Sequence, residues 1–291
     1  MGTLRGAISM AWISIHTTLW CVPLYLLGGV RLAMPNGRVR IGIGSLMDRI
    51  IDGWVASNRL LVWALRLSVI DARFSDAGGP GRDGWYLVVS NHQSWVDIIV
   101  LQNTLLGRIP PLKFFTKREL IWVPLVGVAM WFLGFPYVRR YGRERLAQNP
   151  ELAEHDRNAT LKASQGFAER PTSVLSFLEG TRFTEAKHAA QASPYRHLLR
   201  PRPGGLSYVA TALGDHATAL VDVTIHYHGG VPGFWDFLCG RCRRIDVTVD
   251  ALDVPEALTH TGSDRREVLN QWVDSLWRAK DRRVAETRAA E

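Results

Sequence analysis

The sequence predicts an α/β fold, a mixed and mainly parallel central sheet flanked by helices, preceded by a membrane-associated helical segment. Three observations predict it. From residue 85 onward, short apolar runs of strand length alternate with longer segments of helical periodicity. Two of those runs end in conspicuously charged loops, and residues 6–30 contain no Asp, Glu, Lys or Arg. At 291 residues and 47% hydrophobic, the chain is long enough to bury a sizeable core. The expected division is an N-terminal membrane-anchoring and amphipathic part over residues 1–75 and an α/β domain with a C-terminal helix over 76–291. A formal charge of +8 points to anionic partners without choosing among lipid, small acidic molecules and nucleic acid.

The elements follow in order. AISMAWISIHTTLWCVPLYLLGGV has the ~20 apolar residues that a spanning helix needs. It is too long for a signal-peptide core and lacks a small-residue cleavage site. A span and a re-entrant hairpin both satisfy it, with Pro23 as a kink and Trp12, Trp20 and Tyr25 as interfacial anchors. Arg31, Arg38 and Arg40 after it, against Arg5 before it, place the rest of the chain on the cytosolic side, at the inner membrane if the source is bacterial. LMDRIIDGWVASNRLLVWALRLSV then alternates charge with Ile, Leu and Trp at helical spacing, fitting an interfacial helix or one packed on the sheet.

Residues 78–84, GGPGRDG, form a turn. Gly79, Gly81 and Gly84 satisfy a G-x-G-x-x-G pattern there, but a strand follows where a dinucleotide site needs a helix. WYLVVS reads as a buried strand and DIIVLQNTLL as the helix after it. PLKFFTKREL is basic and aromatic. The uncharged stretch from Ile121 to Val138 is broken by Pro124, Gly127 and Gly134, which predicts a buried helix, a strand and an acyl-chain contact surface. A polar helix is expected between Pro150 and Phe167, then strands in TSVLSFLEGTR, TALVDVTIHYH and RIDVTVDAL. The last helix is expected to start at Ser263 or Asp264, with Glu267 completing a capping box and Val268, Trp272 and Leu276 on its apolar face. A solvated tail is expected beyond Lys280. Cys239 and Cys242 form a single CGRC without a second pair, so neither a zinc site nor any other metal is expected.

The chemistry is expected at two strand ends. SNHQSWVD places His92 and Asp97 five positions apart, too far around a regular helix to meet. With His92 in the turn and Asp97 in the first helical turn, a carboxylate can fix the imidazole tautomer and leave the other ring nitrogen as a base. A purely structural hydrogen bond would use the same two residues. The second strand end adds Glu179, Gly180, Thr181 and Arg182, where open α/β sheets gather ligands, and Arg182 offers a bidentate phosphate contact.

Asn91-His92-x-x-x-x-Asp97, followed by Phe177-Leu178-Glu179-Gly180-Thr181-Arg182, resembles the glycerolipid acyltransferase family, whose best-known members are 1-acylglycerol-3-phosphate acyltransferases. Gly134, Tyr137, Val138 and Arg140 match a third motif of that family, and the strand Val221 to Ile225 stands at a fourth, with Asp222 and Thr224 where proline is usual. NHQSWVDI, KFFTKREL, LLRPRPGG and DVTIHYHGG are most similar to the bacterial branch and its eukaryotic lysophospholipid relatives.

The resemblance implies transfer of a fatty acyl group from acyl-CoA or acyl carrier protein to the free hydroxyl of a lysophospholipid, lysophosphatidate first and other lysophospholipids next. It implies His92 as general base oriented by Asp97, Arg182 and Arg140 on the acceptor phosphate, and Glu179, Gly180 and Thr181 shaping the acceptor pocket. No cofactor is implied beyond the thioester co-substrate. Backbone amides of the turn are expected to stabilise the oxyanion. Lys113, Lys117, Lys187, Arg200 and Arg202 are candidates for contact with the donor or anionic lipid, or for a solvated basic face. A serine hydrolase lacks its G-x-S-x-G elbow here. Nucleic-acid binding is disfavoured by the scattered basic residues. The rival from another class is a membrane lipid-binding scaffold without turnover.

Overall fold

The computed structural model describes residues 2–75, 80–138, 158, 161, 165–259, 262 and 264–290, the side chains of Val138 and Thr259 excepted. Arg140 and most of the polar helix expected between Pro150 and Phe167 lie outside these residues.

Two long helices come first, α1 (Gly2–Ala33) and α2 (Arg38–Ala64). The α/β part follows as β1 (Val69–Phe74), β2 (Trp85–Ser90), α3 (Val96–Leu105), β3 (Leu112–Phe114), β4 (Thr116–Lys117), α4 (Val126–Phe132) and β5 (Tyr137–Val138). The chain continues through β6 (Ser173–Phe177), α5 (Glu185–Ala190), α6 (Gly204–Leu213), β7 (Ala217–Tyr227), α7 (Phe234–Leu238), β8 (Arg244–Leu252), α8 (Glu256–Thr259) and α9 (Arg265–Ala289). Six strands form one sheet in the order β1-β8-β7-β2-β6-β3, with only the β7–β8 pair antiparallel, while β4 and β5 form a separate parallel pair. This is the mixed, mainly parallel sheet that the alternation predicts.

β2 is central, and its neighbours explain its composition. Tyr86 and Val88 face a cluster with Val96, Val100 and Leu101 of α3, whereas Leu87 and Val89 face Leu206, Val209 and Trp277 on the opposite side. A strand covered on both faces needs apolar residues at every position, which is why WYLVVS shows no alternation. Ser90 pairs with Phe177 on one side and Val223 on the other, so the loops after β2 and β6 leave the sheet at the same level.

Three expectations need correction. Val69, read as the end of the amphipathic helix, begins strand β1, which pairs with β8, so the first 75 residues are not a separate unit. As an edge strand, β1 is only partly covered and shows neither a buried run nor a clean alternation. In α9 the apolar face runs through Leu269, Val273, Leu276 and Trp277, rotated from the expected Val268 and Trp272, and Asp264 makes no side-chain cap bond. The helix also continues past Lys280 to Ala289. Lys280 is 0% exposed, with Nζ 2.7 Å from Asp222, and it also donates to Val223 O at 2.6 Å.

That buried pair joins α9 to β7 behind the site. Arg283 adds a second cation at 3.3 Å from Asp222 and also pairs with Asp250. The carboxylate at position 222, where proline was expected, is therefore the sheet's anchor for the last helix. Lys280→Ala leaves the Asp222 charge buried with Arg283 as its remaining cation and is expected to cost about 3–5 kcal/mol in urea unfolding. Replacing both partners by Leu and Met is expected to recover most of that loss.

Candidate active site

The loop after β2 is built around one carboxylate. Asp97, 1% exposed, lies in the first turn of α3. Its Oδ2 accepts from His92 Nδ1 at 2.7 Å, from the Gln93 amide at 2.6 Å and from the Ser94 amide at 3.0 Å. Its Oδ1 accepts the hydroxyl of Tyr227 at the end of β7. With Nδ1 donating to Asp97, the neutral ring of His92 keeps its lone pair on Nε2. The His92 side chain is 16% exposed.

One ring face and the backbone of His92 are also held. Its ring stacks on Phe177 with centroids 4.0 Å apart and planes 14° apart. Asn91 extends the sheet beyond β2, because its amide nitrogen donates to Ile225 O and its amide oxygen accepts from Ile225 N, both at 2.9 Å. The Asn of the motif thus replaces a backbone pair by a side-chain pair and sets where His92 leaves the sheet.

The loop after β6 is zipped onto this one. Glu179 Oε1 accepts the His92 amide at 2.7 Å, and the Phe183 amide donates to His92 O at 2.8 Å. Gly180, Thr181 and Arg182 lie between those two bonds and are held beside His92. Gly180 turns the chain with φ of +69°, a region costly for residues with a β-carbon. The guanidinium of Arg182 lies 4.6 Å from the ring centroid of Trp95, a cation–π contact on the helix entry. Lys187 Nζ donates to Thr181 Oγ1 and to Arg182 O, each at 2.9 Å, so Lys187 stiffens the loop from behind.

Glu179, expected to shape the acceptor pocket, is an internal tie: it is 0% exposed, and its second oxygen accepts the Leu199 amide at 2.8 Å. Burial pushes its carboxyl up to about 8, while the two amide bonds pull the other way. The oxyanion expectation also changes. The amides of His92, Gln93 and Ser94 are all spent on carboxylates, so those three are not donors to a ligand.

The basic candidates divide, with Lys187 and Arg202 at the loop after β6 and the other three elsewhere. Lys113 is buried, and Arg200 donates to Gln191 O and Ala192 O. Lys117 is exposed on β4, and Arg202 runs beside Gly180. Tyr137, from the third motif, donates to Gly127 O at 2.7 Å, and Arg140 is outside the described residues. Sequence reasoning assigned no role to Tyr227 and Phe177. Both end strands that flank β2, which is the signal available beforehand, but only the sheet order brings them to His92.

Two apolar-strand loops meeting over a His–Asp pair define the class, and the comparisons name it. The Acyltransferase family model matches residues 77–227, and the chain belongs to that family. It is 26% identical over 211 residues to 1-acyl-sn-glycerol-3-phosphate acyltransferase gamma of Mus musculus, covering 67% of this chain and 51% of that protein. The delta enzyme of Rattus norvegicus matches with the same identity and coverage. The chain spans about half the length of the curated relatives it matches. The crystal structure of the 1-acyl-sn-glycerophosphate acyltransferase PlsC from Thermotoga maritima shares the fold, with a TM-score of 0.56 and 17% identity over 99% of this chain and 98% of that one.

Two tests follow from the site's electrostatics. Glu179→Gln has one acceptor oxygen for two buried amides and is expected to cost about 1–3 kcal/mol of stability in thermal melts. Burial lowers the Lys113 ammonium to about 8 from 10.5. A cation whose pKa falls on folding contributes stability above its unfolded pKa and loses it as pH falls through the folded one. Stability from this group therefore rises between about pH 8 and 10.5, and urea melts across that range are expected to show a flatter rise in Lys113→Met.

Proposed function

We propose that the protein transfers a fatty acyl group from a thioester donor, acyl-CoA or acyl carrier protein, to the free hydroxyl of a lysophospholipid, lysophosphatidate foremost. The observation that supports this reading is the zipper of Glu179 and Phe183 around His92, which holds the Gly180–Arg182 turn beside the imidazole. His92 Nε2 takes the hydroxyl proton as the oxygen attacks the thioester carbonyl. Asp97 holds the ring and stabilises the imidazolium, which then returns the proton to the departing thiolate. Attack is direct, without an acyl-enzyme. Arg182 binds the acceptor phosphate, joined by Arg140.

The lipid acceptor also fits the surface. α1 exposes Leu4, Ile8, Trp12, Ile15, Leu19, Val22, Leu26 and Val30, a continuous helical stripe. Its opposite face is tied to the domain near both ends, by Ser9 Oγ to Leu238 O and by Gly28 packed under the Phe132 ring. A helix lying along the domain in this way contacts one leaflet through its stripe rather than crossing the bilayer with the domain left on one side. Trp95, Val231 and Trp235 continue the exposed apolar surface, and Ser94 beside His92 donates to Pro232 O. The reading places the site at the lipid surface.

Purified protein with labelled acyl-CoA and lysophosphatidate is expected to form phosphatidate, and His92→Ala to abolish it with folding and vesicle binding intact. Equal product from that variant would remove His92 from the mechanism. Tyr227→Phe removes one hydrogen bond to a charged group, worth about 1.5–3 kcal/mol, and is expected to lower kcat about tenfold. Arg182→Ala is expected to raise KM for the phosphate-bearing acceptor while leaving KM for the donor unchanged.

A further inference from the structure

A concavity of about 1210 Å³ opens not at His92 but beside it, along the free edge of β1. Arg5, Arg59, Arg66, Arg108 and Arg243 line it. Elsewhere many arginines are paired, Arg31 with Glu169, Arg170 with Asp48, Arg241 with Asp236 and Arg278 with Asp274. Among the described residues none of the five groove arginines forms an ion pair. The acidic residue in the lining, Asp71, is already taken by Arg244 at 2.9 Å and Arg73 at 3.8 Å. Five cations without an acidic partner among the described residues repel one another around one void, and an anion of several charges would relieve that repulsion.

Two further observations show a built surface. Arg66 has φ of +48°, a conformation disfavoured for any residue with a β-carbon, and its carbonyl accepts from Arg5 Nη1 at 3.5 Å. Arg108 lies 3.8 Å over the Phe74 ring, and Trp63 at the rim is 75% exposed, so flat apolar faces stand among the guanidinium groups. The groove is also close to the site. Tyr227, bonded to Asp97, pairs with Ile245, and Ile245 pairs with Ile70 in the groove wall. Two strand spacings make that about 10 Å.

We propose that this groove binds the nucleotide end of the soluble acyl donor, a nucleoside bearing several phosphates, and so selects acyl-CoA; the inference rests on the acyl-transfer reading above. The arginines hold the phosphates and the exposed aromatic surface receives the base. The flexible pantetheine arm spans the short distance to His92. A single lipid-headgroup phosphate would leave most of the five charges uncompensated.

The test uses the full chain in detergent. Calorimetric titration with coenzyme A is expected to show binding that weakens at least about tenfold in the Arg59→Gln/Arg108→Gln/Arg243→Gln variant. KM for acyl-CoA is expected to rise by a similar factor with kcat retained, while Arg282→Gln, an exposed charge elsewhere, changes neither. Unaltered coenzyme A binding in the triple variant overturns the inference. So does equal competition by inorganic phosphate, or selective loss of binding to phosphatidylglycerol vesicles or to an acidic carrier protein with coenzyme A binding intact. Should the triple variant fail to fold, Arg59→Gln and Arg243→Gln singly are each expected to weaken binding about threefold, and no change in either overturns it. Groove-dependent binding without turnover would remove the acyl-transfer reading and leave the groove. Turnover with unchanged donor KM in the variants would do the reverse.

Discussion

The Asp97 carboxylate is the point on which the site depends. Four donors from two parts of the chain converge on it: the His92 ring nitrogen, the amides of Gln93 and Ser94, and the hydroxyl of Tyr227. A buried carboxylate is tolerated when its lone pairs are filled, and here filling them orders the loop. The amides of Gln93 and Ser94 fold the turn, and the imidazole takes the orientation that the remaining lone pair allows. The interaction that would orient a base is also the one that holds its loop against the sheet.

A second buried carboxylate repeats the device. Glu179, itself in the loop after β6, bridges the His92 and Leu199 amides, so that loop is fastened both to the turn carrying the base and to the segment before α6. Behind it, Asp222 fastens α9 through Lys280 and Arg283. Three internal acids therefore organise the central strands and the loops that leave them. The +8 charge is not spread evenly: part of it balances these acids, and five arginines without an ion-pair partner among the described residues collect beside β1.

Much of this was legible in the residues. The central strand, the helix after it and the strands at Ser173–Phe177, Ala217–Tyr227 and Arg244–Leu252 follow from local apolar pattern. The edge strand Val69–Phe74 did not, because half-covered edges carry no clear periodicity. Trp272 misled the assignment of the α9 face, since its large apolar ring is only partly buried while the smaller Leu269 and Val273 enter the core. Lys280 gave the opposite error: a lysine near a chain end reads as solvated, and only a partner more than fifty positions away makes its burial tolerable.

By itself the sequence determined which residue types stand at two strand ends, and hence that an imidazole, a carboxylate and a guanidinium were available to one cleft. That information is local, carried by spacing within a turn and by the strand before it. Only the tertiary structure decided what each group does there. It turned Glu179 inward, spent the turn's amides, brought Tyr227 to Asp97 and gathered five arginines from α1, α2, the turns after α2 and α3, and the approach to β8. Those outcomes depend on sheet order and on helices crossing over distant strands. Burial and charge pairing are properties of neighbours in space, and neighbours in sequence do not specify them.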